Sequence, residues 1–256
     1  MIVMQMVTLL LDASKAYRLL KVMADNLPPL RTRLALYKII DLGEGRDIQM
    51  LGDCVRKTIA DFTAWARLHR TDLDAIRDAY SAADAFNAPS RGHQCLVTCK
   101  QWPELRKDKY TVVTQPCGYR ATVQNEQDLH ALAVACCSAA EALHTRELVH
   151  RDMRMPNVVQ LGPRQYCVID LESAARISTG PLPQNFEEVL RTCTPAALDC
   201  HRCFTARSEM YVIGQLLWGA LDNHHSNAAS HFINKLLNKE LLAPEALQHL
   251  GNVWRA

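Results

Sequence analysis

Three side chains in the second half of the chain could do chemistry together: Asp152, Asn157 and Asp170, in the stretch LVHRDMRMPNVVQLGPRQYCVIDLESA at residues 148–174. Two carboxylates and an amide are hard oxygen donors of the kind that hold Mg²⁺, and the amide adds a ligand without another charge to neutralise. A carboxylate can also accept the proton of an attacking hydroxyl. A base, a divalent cation and a place where charge can spread over a transferred group are what phosphoryl transfer requires. Asp152 fits the base, and Asn157 and Asp170 fit the metal ligands.

The elements that must position these groups can be read around them. Residues 157–161 and 166–169 are short apolar runs on either side of a turn at Gly162 and Pro163, which predicts a hairpin. Such a hairpin returns Asp170 to the cleft that holds Asp152. Upstream, Leu129, Leu132, Val134, Ala139, Ala142 and Leu143 recur at helical spacing, so residues 127–145 are predicted to form a long buried helix leading into the loop. Cys136 and Cys137 on that helix read as small core residues.

Composition excludes several classes. An apolar content of 48% in 256 residues supports a sizeable core and not a disordered chain. A net charge of +2 with scattered basic residues carries no polyanion signature, so nucleic acid is not an expected ligand. Ten cysteines without a secretory signal point to reduced thiols in a cytosolic or nuclear protein, and a cytoplasmic one is expected. The apolar opening MIVMQMVTLLL is too short to span a bilayer, and no membrane partner is expected. Residues 12–25 have amphipathic helical spacing, and residues 1–33 are read as a helical extension. Cys200, His201 and Cys203 have metal-ligand spacing, but no second pair lies at a usual interval, so a surface loop is the preferred reading.

The pattern H-R-D-x-x-x-x-N over residues 150–157, followed by Asp170 in V-I-D-L-E, is similar to the protein-kinase catalytic loop and its D-F-G segment. The resemblance implies an α+β, two-lobed protein-kinase-like fold, with a small lobe and hinge at 34–118 and a large lobe at 119–256. It implies ATP and Mg²⁺ as cofactors and protein serine/threonine hydroxyls as substrate. Gly43 and Gly45 then stand in the phosphate-covering loop, where glycine lets backbone N–H groups approach closely. Lys57, in Cys54-Val55-Arg56-Lys57, matches V-A-I-K and is the lysine implied to contact the phosphates; Lys38 is its rival. The partner implied for Lys57 is Asp74 or Asp78, on a helix predicted over 72–86. Strands predicted at 95–99 and 109–114 lead to a hinge at 115–118, so Thr114, Gln115 and Cys117 should line the nucleotide pocket. Arg154 holds the place of a lysine that contacts the transferred phosphoryl group. Glu209, in a helix predicted over 208–221, resembles an acid that caps the catalytic loop.

Departures from the family pattern are also plain. Ile48 occupies the third glycine position, Glu172 replaces the Gly of D-F-G, and no A-P-E follows. These favour a pseudokinase scaffold as an alternative, and the stretch between Leu221 and His231, too short for the family's docking helix, suggests another, a small-molecule kinase. The wording H-R-D-x-R-x-P-N-V has some likeness to the kinase-like domains of Crinkler-type effectors.

Overall fold

The computed structural model describes residues 39–43, 45–87, 94–177, 180–182, 186, 194–220, 226–252 and 254, all within one compact unit, Leu36–Ala256. The expectations for residues 1–33 and for Lys38 lie outside the described residues. The architecture is mixed α+β. Among the described residues no helix is long and apolar enough to cross a membrane.

The glycine-punctuated run forms three strands, β1 (Ile39–Gly43), β2 (Arg46–Leu51) and β3 (Cys54–Ile59). Gly45 and Gly52 make the turns, with φ of 71° and 73° that a side chain would resist. An antiparallel sheet in the order β1-β2-β3-β5-β4 is completed by β4 (Thr98–Arg106) and β5 (Lys109–Gln115). The strand predicted at 95–99 begins later and runs further than expected. Residues 95–97 pair their backbone along another strand instead, Val97 N–H with Val168 O and Val168 N–H with Cys95 O. Pro103 is tolerated inside β4 because that strand is a sheet edge carrying two register irregularities, so the missing N–H removes no ladder bond.

Two helices follow β3. α1 (Phe62–His69), which the sequence reading did not anticipate, is capped by Asp61, whose side chain accepts from Ala64 N–H. α2 (Leu73–Phe86) is capped in the same way by Asp72 and buries Ile76, Ala79, Tyr80 and Ala83. The predicted long helix is α3 (Glu126–His144), whose alanines and cysteines let neighbouring elements approach closely. Cys136 and Cys137 are fully buried within it, and burial pushes the Cys136 thiol up to about 12.

A two-residue strand, β6 (Tyr119–Arg120), joins the predicted hairpin of β8 (Val158–Gly162) and β9 (Gln165–Val168) in a second sheet, while β7 (Leu148–Val149) pairs with β10 (Ala175–Arg176). The chain closes with α4 (Ala206–Ala220), α5 (Asn227–Leu237) and α6 (Ala243–Asn252). Trp254 is buried beyond α6 and donates from Nε1 to Glu126 at 2.9 Å, fastening the end of the chain to the start of α3.

Gly118 sits where β5 hands over to β6, and a Cβ there would lie 2.7 Å from Val159 Cβ. A β-carbon cannot swing aside. Gly118→Ala is therefore expected to destabilise by about 1–3 kcal/mol, read as a lowered urea midpoint with unchanged slope.

Candidate functional site

The loop after β7 is held from beneath by Glu209. Reciprocal hydrogen bonds between Thr205 and Ser208 start α4 and set Glu209 in its first turn. The fully buried carboxylate accepts from His150 N–H at 2.6 Å and from Arg151 N–H at 2.9 Å, and its other oxygen lies 3.0 Å from His144 Nε2. Those bonds allow Arg151 a φ of 68°, unusual for a residue with a side chain. Burial alone would push the Glu209 carboxyl up, but hydrogen bonding and charge from His144, then His150 and the Arg151 N–H, hold it below the usual range. The capping role expected of Glu209 has a direct geometric basis.

His150 links the loop to the strand end that carries Asp170. Its Nδ1 accepts from Asp152 N–H at 3.2 Å, so Nε2 bears the proton and donates to Ile169 O at 2.9 Å. Ile169 N–H in turn donates to Asn157 O at 2.9 Å. A single ring and one backbone bond thus bring the 150–157 loop against the residue before Asp170.

Within the loop, Asn157 Nδ2 donates to Asp152 O at 2.9 Å and to Asp152 Oδ2 at 2.6 Å. This fixes the amide so that its carbonyl oxygen Oδ1 is the end left to face a cation. Arg154 Nε lies 3.0 Å from Asp152 Oδ1. Burial pushes the Asp152 carboxyl above its ordinary value and the charge of Asp170 adds to that, against the pull of Arg154 and His150. A raised carboxyl suits proton acceptance.

Asp170 has a φ of 73° and leaves 37% of its side chain exposed, accessible to a bound ion. Lys57 Nζ donates to its Oδ1 at 2.7 Å. Burial would raise the Asp170 carboxyl, but the Lys57 charge holds it well below the usual range. The Asn157 amide carbonyl and the Asp170 carboxylate are of the donor type that suits Mg²⁺. Hard oxygen donors fit the ion, while no group of three or more His, Cys, Asp or Glu among the described residues is arranged to hold one unaided. At the Cys200–Cys203 spacing, Asp199 Oδ1 instead accepts from the N–H groups of His201 and Cys203, a loop held by its own aspartate.

Lys57 contacts Asp170, but the partner expected for it on α2 is corrected. Asp74 points to solvent beside Arg77, and Asp78 pairs with Arg176. Lys57 turns to Glu172, Nζ to Oε2 at 2.9 Å. α2 supplies Tyr80 instead, whose hydroxyl donates to Glu172 Oε1 at 2.7 Å, with Tyr110 of β5 at 3.4 Å. These three residues were not anticipated. A charged side chain where Gly is usual was the available signal for Glu172; Tyr80 and Tyr110 gave none beyond their apolar setting.

The register places Ile48 and Val112 opposite Lys57 and Thr114 opposite Val55, so Thr114 shares a sheet face with Lys57. Gly43 ends β1 opposite Arg46, and Gly45 makes the tight turn between them. The backbone groups expected to meet a base at the hinge are already engaged: Gln115 O accepts from Thr98 Oγ1 at 3.1 Å, and Cys117 N–H donates to Asp53 O at 2.9 Å. A cavity of about 680 Å³ lies elsewhere, between α3 and the β8–β9 hairpin, lined by Phe86, Cys95, Val134, Leu161 and Tyr166 and by none of the expected site residues.

No protein-family model matches the chain, and no curated protein matches it.

Proposed function

We propose that this chain is an ATP-dependent phosphotransferase with a two-lobed protein-kinase-like fold, acting on serine or threonine hydroxyls of a protein substrate in the cytoplasm. The β1–β5 sheet with α1 and α2 forms the smaller lobe, and α3 to α6 belong to the larger. One observation supports this reading above the others: the 150–157 loop, with Asp152 and Asn157, is tied by His150 to Ile169, beside an Asp170 that meets Lys57 at 2.7 Å.

Asp152 accepts the proton of the attacking hydroxyl, and the Asn157 amide keeps its carboxylate turned to the reacting side. Arg154, already beside Asp152, offers a guanidinium to the transferred group, with the bidentate geometry that a lysine lacks. Lys57 orients the phosphates. Asn157 Oδ1 and the Asp170 carboxylate would hold Mg²⁺, which when bound neutralises charge on the phosphates.

Incubation of the protein with γ-labelled ATP tests this. Label should pass to itself or to protein substrates with Mg²⁺ but not with EDTA, and acid hydrolysis should yield phosphoserine or phosphothreonine. Label found only on small hydroxyl compounds would support the small-molecule alternative. A second reading, a pseudokinase that serves as an interaction scaffold, is favoured by Ile48 opposite Lys57 and by the engaged backbone at Gln115 and Cys117. Absence of transfer under every condition would support it.

A further inference from the structure

We propose that Glu172 is the positioning residue for Lys57, in the place that the family gives to an acid on the preceding helix, so that the lysine is set by the segment that also carries Asp170. This rests on the phosphotransfer reading and names how that site is organised.

Lys57 is nearly enclosed, and a buried ammonium needs a carboxylate beside it. It has two, Asp170 at 2.7 Å and Glu172 at 2.9 Å. They differ in what else they could do. Asp170 is open to solvent at 37% of its side chain, whereas Glu172 is 5% exposed and is held from behind by Tyr80 and Tyr110. A cation entering the site can therefore claim Asp170 and leave Glu172 with the lysine. Without Glu172, lysine and cation would compete for one carboxylate.

The segment is itself anchored. Arg151, buried beneath it, donates from Nε to Ser173 O at 2.9 Å and from Nη2 to His69 O at 2.7 Å. Both partners of Lys57 thus travel with the catalytic loop. The acids of α2 take no part: the Asp74 side chain is 84% exposed, Asp78 is bound to Arg176, and Asp84 accepts from Cys99 N–H at 3.2 Å. What α2 gives is an uncharged hydroxyl, so a shift of that helix would loosen Glu172 without removing the charge opposite Lys57. Assembly of the pair by a swing of the preceding helix is not needed here.

The test is equilibrium binding of a fluorescent ATP analogue to the full chain, titrated with Mg²⁺. Glu172→Gln should weaken binding about tenfold and raise the Mg²⁺ concentration at half-saturation. Glu172→Asp should recover most of the loss, which a merely structural role would not predict. Tyr80→Phe, which keeps the charge, should cost less than Glu172→Gln and gives a usable reading if that variant does not fold. Asp74→Asn with Asp78→Asn should change nothing. Loss of binding in the α2 double variant, with Glu172→Gln unaffected, would overturn the assignment of Glu172 alone. Failure of the wild-type chain to bind the analogue at any Mg²⁺ concentration would overturn the phosphotransfer reading and this inference with it.

Discussion

Replacing Asp152 with Asn is expected to cut phosphate transfer from ATP by about 10³-fold while leaving nucleotide affinity within about threefold. The amide keeps the shape of the carboxylate and one oxygen that can accept from Arg154 or Asn157, so the loop retains most of its bonds. What it loses is the ability to take a proton. Burial and the neighbouring Asp170 have already moved the Asp152 carboxyl upward, toward a better base, and that advantage disappears with the charge. The measurement is initial transfer rate beside equilibrium nucleotide binding on the same preparations. Equal rates for the two proteins would remove Asp152 from the chemistry.

Glu209→Ala should produce the largest loss of stability, about 3–5 kcal/mol, seen as a fall in Tm of about 10 °C. The truncation strands the N–H groups of His150 and Arg151, both buried, and leaves His144 without its acceptor. Glu209→Gln keeps acceptor oxygen and should cost less. The two also differ in acid. Because the folded-state carboxyl is held below its ordinary value of 4.5, its contribution is fully present above pH 4.5 and is lost as pH falls below it. Wild-type stability should therefore drop through that acid range more steeply than that of Glu209→Gln, as followed by urea unfolding at successive pH values. Parallel profiles would mean that Glu209 is not held in its charged form by the loop.

The candidate site was legible to the extent that its residues are local in sequence. Asp152 and Asn157 lie five positions apart on one loop, and the hairpin that returns Asp170 announces itself through two apolar runs around Gly162-Pro163. The strands β1 to β3 have a local signal too, because Gly45 and Gly52 stand where the chain turns between them. The pairing of Lys57 was not, since it joins positions more than a hundred residues apart, and spacing along a helix cannot say which carboxylate a buried amine will reach. Family resemblance pointed to the acids of α2, and the physical outcome went to Glu172, a residue noticed only as a departure. α1 escaped notice because it is only eight residues long, too short for its apolar spacing to stand out, although Asp61 stood ready as its cap. Residues 115–118 show the converse error. They come at the end of β5 as expected, but whether their N–H and C=O groups are free depends on Thr98 and Asp53, which no local pattern reveals.

The central claim is that Asp152, Asn157 and Asp170 make one site for a metal-bound nucleotide, and thermal melting with and without Mg-ATP tests it most directly. At a nucleotide concentration about a hundredfold above Kd, the wild-type Tm should rise by about 5–10 °C, only when Mg²⁺ is present, and Asp170→Asn should abolish the rise. An equal shift in Asp170→Asn, or none in the wild-type protein at any Mg-ATP concentration, would contradict it.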